Sequence, residues 1–300
     1  MMKTTPFGAL PPEYCRADTA KIVVVPVPYD ETSTWMKGAD KGPQALLRAS
    51  ANMELYDIET DSQVYEEGIF TDDPVDDGPS PDRMVRAVEQ RVSRHLANGK
   101  FTVVVGGEHS VSIGAIQAHA RKYPASMTVL QLDAHADLRA EYEGSRYNHA
   151  CVMARARELC RVVQVGIRSM DISEKPALDP QRVFFAQALH EGVAGVEDIV
   201  GRLTDSVYIT IDLDVFDPSI MPATGTPEPG GLLWYDVLAL LKAVCRRRTV
   251  VGFDLVELCP VETNWGPDFL AAKLLYKLLS YRFRGGYEEG RDSPRADRPH

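Results

Sequence analysis

Short apolar runs rich in valine and isoleucine recur along the chain, each closed by turn residues. Between them lie longer stretches whose apolar positions repeat at the helical period. The runs predict strands at 21–29, 101–106, 127–133, 161–167, 182–186, 206–213 and 249–257. The stretches between predict helices at 43–54, 81–98, 110–122, 149–160, 194–204, 234–247 and 266–283. Alternation of this kind implies parallel strands joined by crossover helices, an α/β fold. The segment SPDRMVRAVEQRVSRHLANGK also shows its ends, with Ser80 as a cap, Pro81 at the first position and Gly99 just past the last turn. No internal repeat and no long linker divides the chain, so residues 1–300 read as a single domain. Its end, RGGYEEGRDSPRADRPH, is polar and charged and reads as a mobile tail from about 287.

Composition removes several classes. With 44% hydrophobic and 25% charged residues, the chain has the balance of a soluble globular protein with a large core. Its longest apolar runs, KIVVVPVPY and FTVVVGG, fall far short of the roughly 20 residues that cross a bilayer, so no membrane role is expected. The start, MMKTTPFGALPPEY, has no apolar segment of the secretory kind, which leaves a cytoplasmic location as the expectation. Cys15, Cys151, Cys160, Cys245 and Cys259 are odd in number and lack C-x-x-C spacing, and they read as reduced, mostly buried thiols rather than a disulfide framework or zinc site. A formal charge of −10 without a basic stripe argues against a nucleic-acid partner and is compatible with a cationic ligand.

The chemistry gathers where the apolar runs stop. FTVVVGGEHS ends in Glu108 and His109, MTVLQLDAHAD in Asp133, His135 and Asp137, and VYITIDLDVFDP in Asp212 and Asp214. In a parallel sheet these carboxyl ends share one rim, where ligand sites form. Residues two apart in an extended segment point the same way, so Asp212 and Asp214 aim at one place, as do Asp133 and His135. A lone D-x-D is more often a turn or capping device. Four carboxylates together are another matter, because they stay ionised only beside a strong counter-charge. Two imidazoles and four carboxylates suit two divalent ions sharing bridging acids, an arrangement that holds a hydroxide between metals about 3.5–4 Å apart. The oxygen-rich, thiolate-free set favours Mn²⁺-like ions and leaves Zn²⁺ and Fe²⁺ open on hardness alone. His95, His119 and His190 lack acidic neighbours of this pattern and read as structural.

GGEHS at 106–110, DAHADLR at 133–139, DLDVFDPSIMPATGTPEPGG at 212–231 and DLVELCP at 254–260 resemble, in order and spacing, the ureohydrolase family of arginases and agmatinases. The resemblance implies a three-layer α/β/α sandwich around a mostly parallel sheet of about eight strands. It also implies two Mn²⁺ per chain and a homo-oligomer, trimer or hexamer. By its motifs, His109, Asp133, Asp137 and Asp212 hold one ion, and Asp133, His135, Asp212 and Asp214 the other, with Asp133 and Asp212 as bridges. The resemblance further implies that water held between the ions would supply the hydroxide that attacks the guanidinium carbon of the substrate. Asp137 counts among the catalytic groups as well as the ligands, Glu257 stands where the family places the guanidinium-binding carboxylate, and His149 where it places a proton-shuttling histidine. The residue before His149 is Asn148 in place of the family's usual serine. Thr226 either shapes the substrate pocket or serves the turn of GTPEPGG.

Arginases carry an Asn where this chain has Arg139, and its LRAEYEGSRYNHACVMARA segment lacks their S-G-N-x-H-G pattern. The anchor for an amino-acid substrate is therefore missing, and agmatine, cleaved to urea and putrescine for polyamine biosynthesis, is the expected substrate. Guanidinobutyrate, guanidinopropionate, aminopropylagmatine and arginine are the alternatives. Two other classes, a metal-dependent amide hydrolase and a non-catalytic homologue, are disfavoured by the absence of a paired-histidine motif and by retention of all six ligand types.

Overall fold

The computed structural model describes residues 5–76, 78–124 and 127–285. Its strands are β1 (Ile22–Val27), β2 (Ile69–Thr71), β3 (Phe101–Gly106), β4 (Met127–Leu132), β5 (Arg161–Ile167), β6 (Val183–Phe185), β7 (Ser206–Asp212) and β8 (Thr249–Val256). They form one sheet in the order β2-β1-β3-β8-β7-β4-β5-β6, and every pairing is parallel. The helices are α1 (Gly42–Ser50), α2 (Pro81–Ala97), α3 (Val111–Lys122), α4 (Val152–Arg157), α5 (Ala186–His190), α6 (Val196–Gly201), α7 (Trp234–Arg247) and α8 (Gly266–Arg284).

Strand period explains the three layers. Val103 and Val105 of β3 face one core with Leu274, Leu275 and Leu278 of α8 and Leu240 and Val244 of α7. Val104, between them, faces the other with Val85 and Val88 of α2, Ile116 of α3 and Met153 of α4. Both faces being covered, the strands are near-continuous β-branched runs, as in FTVVVG, where all six residues are buried. Pro26 sits inside β1 at no cost to the ladder. The Ile22 N–H donates to the Gly68 carbonyl on the β2 side and Pro26 faces the same way, but β2 pairs only as far as Val24.

The structure departs from the sequence expectation in several places. The eighth strand, β2, was not among the predicted runs, and α5 was not predicted either. The helix expected from 149 begins as a 3₁₀ turn, His149–Cys151, and α4 closes at Arg157. Gly99 does lie past α2 with φ 72°, but the Ser80 side chain makes no cap, and its carbonyl instead accepts the Met84 N–H at 3.0 Å. All five cysteines are free, yet only Cys151 and Cys259 are buried. The tail expected to be mobile from 287 lies outside the described residues. No described helix is long and apolar enough to cross a membrane.

Candidate metal centre and cavity

The central strands β3, β8, β7 and β4 are neighbours, so their carboxyl ends deliver four loops to one point. After β3, the Gly107 N–H binds the Val27 carbonyl at 2.8 Å and the Glu108 N–H binds that of Tyr29 at 2.9 Å, clamping the loop to the end of β1. A Cβ on Gly107 would lie 2.0 Å from the Tyr29 carbonyl oxygen, so only glycine permits this approach. His109 leaves the clamp pointing over β7 and β4. Its Nδ1 lies 3.1 Å from Oδ2 of Asp133, 3.0 Å from Oδ2 of Asp137 and 3.5 Å from Oδ2 of Asp212. On the other side of Asp133, Nδ1 of His135 is 2.9 Å from Oδ2 of Asp214 and 3.7 Å from Oδ1 of Asp133.

Two groups of three donors result, His109/Asp133/Asp137 and Asp133/His135/Asp214, each with its ligand atoms within 4.8 Å of one another. Asp133 belongs to both, as expected of a bridging carboxylate. Asp212 joins neither triad, but it lies between them, with Oδ2 3.5 Å from Nδ1 of His109 and Oδ1 accepting the Asp214 N–H at 2.9 Å.

Electrostatics show what the cluster lacks. Burial raises Asp133 and Asp212 above the usual carboxylate range, and neighbouring carboxylates, Asp214 first, raise them further. Glu257 is raised by burial and then by Glu108. Burial opposes a charge on His135, but Asp214 and its neighbours override it and carry the ring up to about 10. Protein atoms alone therefore cannot keep these acids ionised without protonating the imidazoles. The His109 ring settles what belongs there. Its buried Nδ1 makes no directed hydrogen bond, although oxygens of Asp133 and Asp137 lie about it. On the far side of the ring, Nε2 is 2.9 Å from Oγ1 of Thr210, which donates to Asp254 at 2.7 Å. A hydroxyl whose proton goes to Asp254 can only accept from the ring, so Nε2 carries a hydrogen, and in the neutral ring that a cation would require the lone pair is on Nδ1, between the carboxylates. The donor set fits a pair of divalent cations.

Two site residues hold backbone conformations that side chains rarely adopt, Asp137 at φ 53° and Glu257 at φ 66°. Each is pinned. The Asp137 carbonyl accepts the N–H groups of Met153 and Ala154 at 3.0 and 3.1 Å. The Glu257 N–H binds the Gly107 carbonyl at 2.8 Å, and Oε1 of Glu257 accepts the His109 N–H at 2.8 Å.

The centre opens into a cavity of about 170 Å³ whose lining includes His149, Glu257 and Thr226 as well as His109, His135, Asp137, Asp212 and Asp214. The expected site residues thus meet in one place, except that Asp133 lies beneath the floor, fully buried. Sequence reading singled out Arg139 but missed its partners on the outer wall, where it stacks on Tyr142 at 4.2 Å and its Nε is 3.8 Å from Oε2 of Glu174, with Asp171 beside them. It also missed Glu228, 3.8 Å from Nε2 of His135, and Arg168, which donates to the carbonyls of Asp214 at 2.5 Å and Glu228 at 2.8 Å. Thr210 and Asp254 had a signal available, since each is a buried polar residue interrupting an apolar strand. The other described histidines, His95, His119 and His190, lie outside both donor groups and the cavity lining. His95 pairs with Asp72 at 2.6 Å, His119 is buried against Tyr208, and His190 closes α5.

Comparison with known proteins agrees with this geometry. The chain is 39% identical over 87% of its length to the N(1)-aminopropylagmatine ureohydrolase of Synechocystis sp., covering 89% of that protein. It is 31% identical over 88% of its length to the agmatinase of Pyrococcus horikoshii, covering 93% of that protein. The solved agmatine ureohydrolase of Thermoplasma volcanium superposes with a TM-score of 0.82 at 31% identity, over 95% of this chain and 96% of that one. The Arginase family model matches residues 20–280, and the chain, with its parallel eight-stranded sheet and shared-acid cluster, belongs to the arginase family of ureohydrolases.

Proposed function

We propose that this enzyme hydrolyses the guanidinium group of a polyamine-tailed substrate, N(1)-aminopropylagmatine ahead of agmatine, to urea and the free amine. The observation that carries the hydrolysis is the pair of donor triads at the base of a cavity walled by Glu257 and His149, joined by Asp133 just beneath its floor. His109, Asp133, Asp137 and Asp212 would hold one ion, and Asp133, His135, Asp212 and Asp214 the other. Two divalent cations, manganese in this reading, would supply the nucleophile by acidifying water near neutral pH. Glu257 has Oε1 anchored to the His109 N–H, which leaves Oε2 for the N–H fork of a guanidinium. As the bond from the guanidinium carbon to the tail nitrogen breaks, that nitrogen needs a proton, and the His149 ring at the cavity wall can deliver it.

The sequence alone favoured agmatine. Between the two curated relatives, the one named for aminopropylagmatine is the more similar, at 39% against 31% identity. The outer wall supports a polycationic tail, because Glu174 and the Tyr142 ring occupy the Arg139 guanidinium while Asp171 stands beside them. Urea release from manganese-loaded protein tests the reading. Turnover (kcat/KM) on N(1)-aminopropylagmatine should exceed that on agmatine, and L-arginine should be poorest. A preference for agmatine restores the narrower assignment, and no urea from any guanidine contradicts the reaction itself.

A further inference from the structure

Behind His149 runs a buried chain of groups that neither donor triad uses. Oγ1 of Thr32 accepts the His149 main-chain N–H at 3.0 Å and lies 3.2 Å from the ring Nδ1. The same hydroxyl donates to Oε1 of Glu108 at 2.9 Å. Thr32 is 7% exposed and Glu108 fully buried. The three residues come from different loops, after β1, β3 and β4, yet they meet at one hydroxyl.

A threonine hydroxyl has one proton and two lone pairs. Glu108 already accepts the Ser110 N–H at 2.8 Å and the Ser110 hydroxyl at 2.7 Å, so it completes a ring of donors and serves as the acceptor for Thr32. With the Thr32 proton directed there, both of its lone pairs face His149, one for the main-chain N–H and one for the ring. Nδ1 must then carry its hydrogen, and Nε2 is the nitrogen left to the cavity. The Tyr142 ring, edge-on to the imidazole at 6.1 Å, packs the other side.

We propose that Thr32, fixed by Glu108, is a positioning residue that sets the tautomer and ring angle of His149, so that Nε2 can take up a proton and pass it to the departing amine. This rests on the reading of His149 as the proton carrier. A mere packing role for Thr32 would be satisfied equally by valine, which keeps the shape and loses the hydroxyl.

The test compares manganese-loaded T32V, T32S, H149F and T32V/H149F with wild type, using urea release from N(1)-aminopropylagmatine and from agmatine. T32V should lower kcat about 10- to 100-fold, the usual effect of deleting an orienting group and at or below the roughly 10²- to 10⁴-fold that the acid itself supplies, with KM and bound metal little changed. T32S should recover most of the rate, and T32V should add nothing in the H149F background. If H149F is slowed but T32V is not, or if T32V costs as much with His149 absent, the inference about Thr32 falls while the His149 reading stands. If H149F runs at the wild-type rate, the His149 reading falls and takes the inference with it. Two-bond ¹H–¹⁵N spectra of zinc-loaded wild type, assigned by difference from H149F, should show His149 protonated at Nδ1 and unprotonated at Nε2, and the opposite tautomer overturns the inference without any variant of Thr32.

Discussion

Thr210 accepts the Nε2–H of His109 at 2.9 Å and hands its own proton to Asp254 at 2.7 Å, so the orientation of one metal-facing imidazole is set two layers into the sheet. The Tyr208 hydroxyl donates to the other oxygen of Asp254 at 2.7 Å, which completes a buried polar network in an otherwise apolar strand pair. Removing the Thr210 hydroxyl frees the ring to choose the wrong tautomer. T210V should therefore weaken manganese affinity about 10- to 100-fold, the usual effect of deleting a group that orients a ligand. Competition with a metallochromic chelator measures this directly.

Glu257 calls for a different signature. Its Oε1 is held by a main-chain N–H and no metal triad includes it. E257Q should bind as much metal as the wild type, yet lose about 10²-fold or more in kcat/KM, since an amide cannot balance the guanidinium charge. Loss of metal in this variant would move Glu257 into the ligand set.

Asp133→Asn and His149→Phe should separate the two halves of the site. Asp133 is shared by both triads and is fully buried, so D133N should lose metal and activity together. H149F should keep its metal and lose turnover. Equal metal content and activity in D133N would show that Asp133 is not the bridge.

A pH effect arises outside the cavity lining. His119 is fully buried, and burial holds its ring at about 4, well below the ordinary 6.5. Its Nδ1 meets the Ala115 carbonyl at 2.8 Å, and a Cβ on Gly252 would strike its Nε2 at 2.2 Å, so the ring has no room for hydration. A folded pKa below the unfolded one means that the unfolded chain takes up the proton first. The contribution of neutral His119 is complete above about pH 6.5 and is lost as pH falls toward 4, about 3 kcal/mol in all. In chelator-treated protein, the Tm of H119Q should fall less steeply between pH 7 and 5 than that of wild type. Parallel slopes would contradict the assignment.

Sequence and structure part company for identifiable reasons. The strand ends that carry Asp133 and Asp212 were readable because a buried parallel strand is a dense β-branched run, and a carboxylate there breaks the pattern. β2 escaped because its two apolar residues, Ile69 and Phe70, are hemmed by Glu66, Glu67, Asp72 and Asp73, whereas β6, equally short, stands in the apolar run VFFA; α5 escaped because five residues make little more than one helical turn. His149 and Glu257 were found through motif resemblance, not pattern. The Thr32 to Glu108 contact joins residues 76 apart in sequence, and the Arg139 to Glu174 pair sits on two loops. Such contacts depend on how loops fold back over the rim, which local periodicity does not encode.

The most direct measurement is elemental analysis of manganese-loaded, dialysed protein alongside its urea-forming activity. Two ions per chain at full activity is the predicted result. Full activity with one ion or none would contradict the shared-acid centre on which the account depends.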